Sequence, residues 1–213
     1  MEIEPTAWKF FLPLAVISIC LILLGAFIPA GLVLLVALWV LWFFRDPVRI
    51  PPSGEDLLLA PADGRIDTLE EVEHAAFPGG KAIKLGIFLS IFDVHINRAP
   101  CRGRVKETRH KRGRFLSAMN RDSSHENESN LIVMDTEAGP VHVKQIAGMI
   151  ARRIVCPLKR GDDVYRGDKI GMICFGSRTE IFLPLSSRIC VRPGMKVAGG
   201  ETILGRLEPE EES

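Results

Sequence analysis

Few residues in this chain are placed to do covalent chemistry. The five cysteines, Cys20, Cys101, Cys156, Cys174 and Cys190, occur singly, with no C-x-x-C pair. An odd, scattered set reads as reduced thiols in a cytosolic compartment, not a disulfide framework. No His/Cys/Asp cluster has ligand spacing, so no metal site is expected. Five histidines remain, His74, His95, His110, His125 and His142. Most suggestive is Gly176-Ser177. A glycine leaves its carbonyl open to attack, and serine carries nucleophile and leaving group on one carbon. By itself the pair reads as a hairpin turn, as does Asp63 in Asp63-Gly64, and an isolated His95 reads as structural.

The elements that must position these residues are short strands. After Arg45-Asp46-Pro47 come apolar runs separated by Gly, Pro and Asp: Leu57–Ala60, Ile83–Leu89, Leu131–Asp135, Val141–Ile146, Ile170–Cys174 and Glu180–Leu183. Their length and β-branched content predict a mainly β domain with little helix. An internal repeat closes the chain. Gly161-x-x-Val164-x-x-Gly167-x-x-Ile170 recurs as Gly194-x-x-Val197-x-x-Gly200-x-x-Ile203, offset by 33 residues. Glycines are expected at positive φ and Val/Ile pointing inward. The repeat resembles the paired half-motifs of biotinyl- and lipoyl-carrier domains, which implies a barrel-sandwich-like fold. In those carriers a hairpin between the halves displays a modified lysine; here Gly176-Ser177 occupies that stretch.

The N-terminal part follows different physics. From Phe10 to Phe44 no residue is charged. This is too long for a signal-peptide core and for one straight span of roughly 20 residues. Gly25-Ala26-Phe27-Ile28-Pro29-Ala30-Gly31 suits a turn, giving a helical hairpin, either two thin spans or a re-entrant pair. Lys9, Arg45 and Arg49 flank it, which predicts both ends, and the domain after them, on the cytoplasmic side. Net charge is only +1, with 27 Lys+Arg against 26 Asp+Glu. The basic run from Arg102 to Arg114 lacks interleaved aromatics, so no nucleic-acid partner is expected.

Phe175-Gly176-Ser177-Arg178 after Gly171-Met172-Ile173 resembles the processing site of short-form phosphatidylserine decarboxylase proenzymes. Trp42-Phe43-Phe44-Arg45-Asp46-Pro47, Pro61-Ala62-Asp63-Gly64-Arg65 and the segment Phe88–Pro100 around His95 resemble that family's other segments, in the same order. The likeness runs from about residue 38 to 207. It departs from the long forms in two places: Leu-Gly-Ser-Thr is replaced by Phe-Gly-Ser-Arg, and their second histidine by Arg98.

The resemblance implies a self-made cofactor. Decarboxylating an amino acid leaves electrons that no side chain accepts, so an electron sink is needed. Ser177 would attack the Gly176 carbonyl, and elimination would leave a pyruvoyl group at the new N-terminus. The cofactor-binding residue is thus Ser177 itself. His95 would return a proton to the substrate carbon, and Asp63 would orient or deprotonate the Ser177 hydroxyl. Residues 1–46 would form the membrane anchor and 47–213 the catalytic β domain. Cleavage would split the polypeptide into a β chain, 1–176, and an α chain, 177–213, which stay together as a heterodimer, with a higher oligomer open. The substrate would be an aminophospholipid, phosphatidylserine or its ether-linked archaetidyl counterpart, at the cell membrane. The competing reading is a non-enzymatic, membrane-tethered carrier or adaptor, for which Lys196 is the one tempting lysine.

Overall fold

The computed structural model describes residues 1–54, 56–113, 126–148, 153–174 and 177–209. Two compact units divide the chain, Met1–Val48 and Arg49–Ser213.

In the first unit, strands β1 (Glu2–Ile3) and β2 (Arg45–Asp46) pair antiparallel and close off two helices, α1 (Trp8–Leu23) and α2 (Phe27–Phe43). The helices are apolar all round, a pattern that requires either a large core or lipid. Only a narrow seam is buried, with Ala30, Ala37 and Val40 in it, while Leu12, Val16, Leu23, Ile28, Leu32 and Leu35 are exposed. Ser18 Oγ donates to the Ala30 carbonyl at 3.0 Å across that seam. With the short helical turn before it, α1 forms a segment, Pro5–Leu23, long and apolar enough to cross a membrane; α2 is shorter. The turn is tighter than the sequence implied. Leu24–Ala26 makes it, with Gly25 at φ +75°. Pro29 and Gly31 fall inside α2, where Pro29 sits in the first turn and its missing N–H is one no helix would have bonded.

The second unit is built from β3 (Leu57–Leu59), β4 (Gly64–Glu73), β5 (Lys81–Leu89), β6 (Ile96–Arg98), β7 (Gly103–Lys111), β8 (Ser129–Thr136) and β9 (Gly139–Ala147). It continues through β10 (Ile154–Val155), β11 (Asp163–Val164), β12 (Lys169–Ile173), β13 (Ser177–Leu183), β14 (Arg188–Ile189), β15 (Lys196–Val197) and β16 (Ile203–Arg206). An eight-stranded antiparallel sheet has the order β11-β7-β8-β9-β13-β5-β4-β15. Two three-stranded sheets, β10-β12-β6 and β14-β16-β3, complete the unit. Alternation sends one face of the large sheet inward. Leu85, Ile87, Ile132, Val143 and Ile181 from that face meet Leu58, Ile170 and Leu204 from the smaller sheets in one core.

All four repeat glycines have positive φ, Gly161 +95°, Gly167 +86°, Gly194 +92° and Gly200 +77°. Val164, Val197 and Ile170 are buried, whereas Ile203 is 38% exposed. The two copies supply β11 and β15, the opposite edges of the eight-stranded sheet. β12 belongs to one sheet and β13 to another, and β13 runs down the middle of the larger one, between β9 and β5.

Candidate active site

Ser177 opens β13. Its row in the sheet reads Leu89, Ser177, Ala147, and the next inward-facing row reads Ile87, Thr179, Gln145, Asn130. Ser177 therefore sits where core residues sit, fully buried, and among the described residues its Oγ makes no hydrogen bond. A buried hydroxyl normally finds a partner, because leaving it unmade costs about 1–3 kcal/mol. Phe175 and Gly176, and with them the expected scissile bond, lie outside the described residues.

His95 is also buried. Its Nδ1 lies 2.9 Å from the Asp93 carbonyl, which can only accept, so Nδ1 carries the proton and Nε2 is the nitrogen able to exchange one. Two tethers hold this residue at the Ser177 end of the sheet. Its carbonyl accepts from Ile173 N–H, four residues before Ser177, at 3.2 Å. On the other side it follows β5 closely, and the last residue of β5, Leu89, pairs with Ser177. The intervening turn is locked by Asp93, whose carboxylate accepts from Ser90 N–H at 2.8 Å and Ser90 Oγ at 2.7 Å.

Asp63 precedes Gly64, the first residue of β4. Arg65 pairs with Phe88, so one step on Gly64 lies beside Leu89 in the Ser177 row, two strands or roughly 10 Å from Ser177 itself. Its carboxylate accepts from Gly199 N–H at 2.7 Å and from Arg49 Nη2 at 2.7 Å, while Arg49 also holds Glu201 at 2.6 Å. Burial pushes the Asp63 carboxyl above its ordinary range, outweighing the Gly199 N–H and the Arg49 charge, with the nearby Asp93 adding to the rise. Among the described residues Asp63 makes no hydrogen bond to Ser177 Oγ.

Side chains that sequence reasoning missed hold these segments together. Asn97 Nδ2 donates to Thr179 Oγ1 at 3.0 Å and to the Pro61 carbonyl at 3.4 Å. Its Oδ1 accepts from Gln145 Nε2 at 2.8 Å, and Gln145 Oε1 accepts from Asn130 Nδ2 at 2.9 Å. All four residues are buried. On the opposite face Arg178 is buried too, and bonds Asp67, Thr68 and Glu180. Its guanidinium lies over Gly86, where a Cβ would come within 2.4 Å of Nη2. The signal for Gln145 was available in the sequence: it is polar at a strand position whose parity, with Val141 and Val143, is otherwise apolar.

A family model described as phosphatidylserine decarboxylase matches residues 36–205. A phosphatidylserine decarboxylase proenzyme of Chlorobaculum tepidum is 40% identical over 97% of this chain and 98% of its own. One from Symbiobacterium thermophilum is 46% identical, covering 80% of each chain. A protein of Methanothermobacter thermautotrophicus, provisionally named an archaetidylserine decarboxylase proenzyme, is 49% identical over 80% of this chain and 82% of its own. The match places the protein among the carboxy-lyases. It belongs to the phosphatidylserine decarboxylase family.

Proposed function

We propose that the protein decarboxylates the serine headgroup of phosphatidylserine or archaetidylserine to the ethanolamine lipid and CO2, with a pyruvoyl group made from Ser177. The observation that carries this reading is the Ser177 hydroxyl, buried at the start of a central strand with no hydrogen bond to satisfy it. The names of the relatives as proenzymes accord with a chain that must be cut before it works.

Processing balances without an outside oxidant. Ser177 Oγ bonds to the Gly176 carbonyl carbon, the amide C–N bond breaks, and the hydroxyl proton passes to the freed amine. Loss of the Ser177 Cα proton then breaks the Cβ–O bond and releases the Gly176 carboxylate. Water replaces the nitrogen, which leaves as ammonia. The resulting ketone supplies an electron sink for the departing carboxylate's electrons. His95, held by Asp93, returns a proton through Nε2. Asp63, its carboxyl raised by burial, serves the earlier step by orienting or deprotonating the hydroxyl. Arg98, at the position of the long forms' second histidine, donates to the Gly167 carbonyl at 3.0 Å and takes no proton-transfer role.

In this reading residues 1–46 anchor the protein in the cell membrane with the β domain, 47–213, on the cytoplasmic side. The chains 1–176 and 177–213 remain one heterodimeric unit, because β13 is bonded along both sides. The glycine repeat acts as a lipoyl-type pair of turns capping the sheet edges in a barrel-sandwich-like domain. The test is CO2 release from phosphatidylserine vesicles. Ser177→Ala is expected to lose both cleavage and turnover, and His95→Ala to be cleaved but at least about 100-fold slower in turnover. Cleavage failing in His95→Ala would reassign that histidine.

A further inference from the structure

Four buried polar side chains in the core of a β domain are costly unless each is satisfied. Here they are satisfied by one another, in a line from Asn130 through Gln145 and Asn97 to Thr179. The line ends two residues from Ser177, on the same face of the same strand. Asn97 is its junction: one amide grips β13 through Thr179, β9 through Gln145, and the Pro61 carbonyl two residues before Asp63. Arg98 N–H bonds that same carbonyl at 2.9 Å. Gly171, paired with Asn97, makes room, since a Cβ there would meet Gln145 Nε2 at 2.7 Å. The three segments that carry Asp63, His95 and Ser177 thus meet at one side chain that belongs to none of those three residues.

We propose that Asn97, acting through Thr179, is a positioning residue for self-cleavage: by holding β13 two residues on, it fixes the backbone torsions from which the Ser177 hydroxyl attacks. The proposal rests on the Ser177 cleavage reading. An amide suits the task because it is neutral at every working pH and holds a donor and an acceptor in one plane. Attack on a neighbouring carbonyl needs the reacting atoms about 3–3.5 Å apart and aligned, and a misplacement of about 1 Å costs on the order of 100-fold. Apolar packing alone would not fix the strand so narrowly, since isosteric cores repack.

The full-length chain is synthesised in a cell-free pulse, and the 177–213 chain is followed by mass over time. Thr179→Val, which keeps the shape and removes the hydroxyl, is expected to slow cleavage by about 10-fold or more, and Thr179→Ser to stay within about 3-fold of the parent. Asn97→Ala should slow it similarly, and adding Thr179→Val to it should cost little more, because the two act as one contact. Melting of the Thr179 variants, compared in the uncut Ser177→Ala background, should differ by only a few degrees. Thr179→Val cleaving at the parental rate, or Thr179→Ser as slow as Thr179→Val, overturns the proposal. Cleavage of the Ser177→Ala chain itself at Gly176 would instead bring down the serine reading beneath it.

Discussion

At the scale of single residues, the proposed chemistry depends on groups held in different ways. Ser177 is buried with no hydrogen bond to its Oγ among the described residues, His95 is buried and oriented, and Asp63 is partly buried and shared between a backbone N–H and Arg49. Asp63→Asn is expected to slow chain cleavage by about 100-fold or more while leaving the Gly199 contact able to form, since an amide oxygen still accepts. Cleavage at the parental rate in that variant would leave Asp63 a purely structural tether. A second residue-level prediction concerns His142, which packs with His74 (ring centroids 5.0 Å apart) and Phe77, while Phe182 packs on His74. Burial first, and the neighbouring His74 next, push its imidazole down from 6.5 to about 4. Arg109 and Lys106 act in the same direction, and Asp135 opposes them. The unfolded chain therefore takes the proton first. Stability from this cluster is intact above about pH 6.5 and is lost as pH falls through about 4. His142→Phe should flatten the fall in melting temperature over that window; an unchanged slope would assign the acid sensitivity elsewhere.

At the scale of elements, the site depends on strands approaching more closely than side chains allow. Gly64 has φ +147°, and a Cβ there would lie 2.2 Å from the Phe88 carbonyl oxygen. Gly64→Ala should therefore lower the melting temperature by several degrees, an effect of about 2 kcal/mol or more, and displace the Asp63 segment. The sequence made much of this scale legible. Apolar runs such as Ile83–Leu89 and Val141–Ile146 appear as β5 and β9, because alternation and β-branching act locally. The repeat glycines likewise adopt positive φ. The sheet to which each strand belongs was not legible. Ser177 opens a strand that pairs with β9 and β5 of the large sheet, while β12 pairs with β6 in another. Asn97 stood within a recognised segment, yet its partners come from β9 and β13, 48 and 82 residues away, and no local pattern encodes such contacts.

At the scale of the whole molecule, two units carry two kinds of surface. The helical unit exposes Leu12, Val16, Leu32 and Leu35, and the β unit encloses its own core. Full-length protein is expected to stay with membranes after an alkaline wash, and residues 49–213 alone to be released into the soluble fraction. Release of the full-length protein would refute the anchor. The central claim is that the chain makes its cofactor from Ser177. Intact-mass analysis of the purified protein tests it most directly. Two chains are expected, 1–176 and 177–213, the smaller beginning with a pyruvoyl group in place of serine and resisting N-terminal sequencing. A single uncut 213-residue polypeptide that still releases CO2 from phosphatidylserine would contradict it.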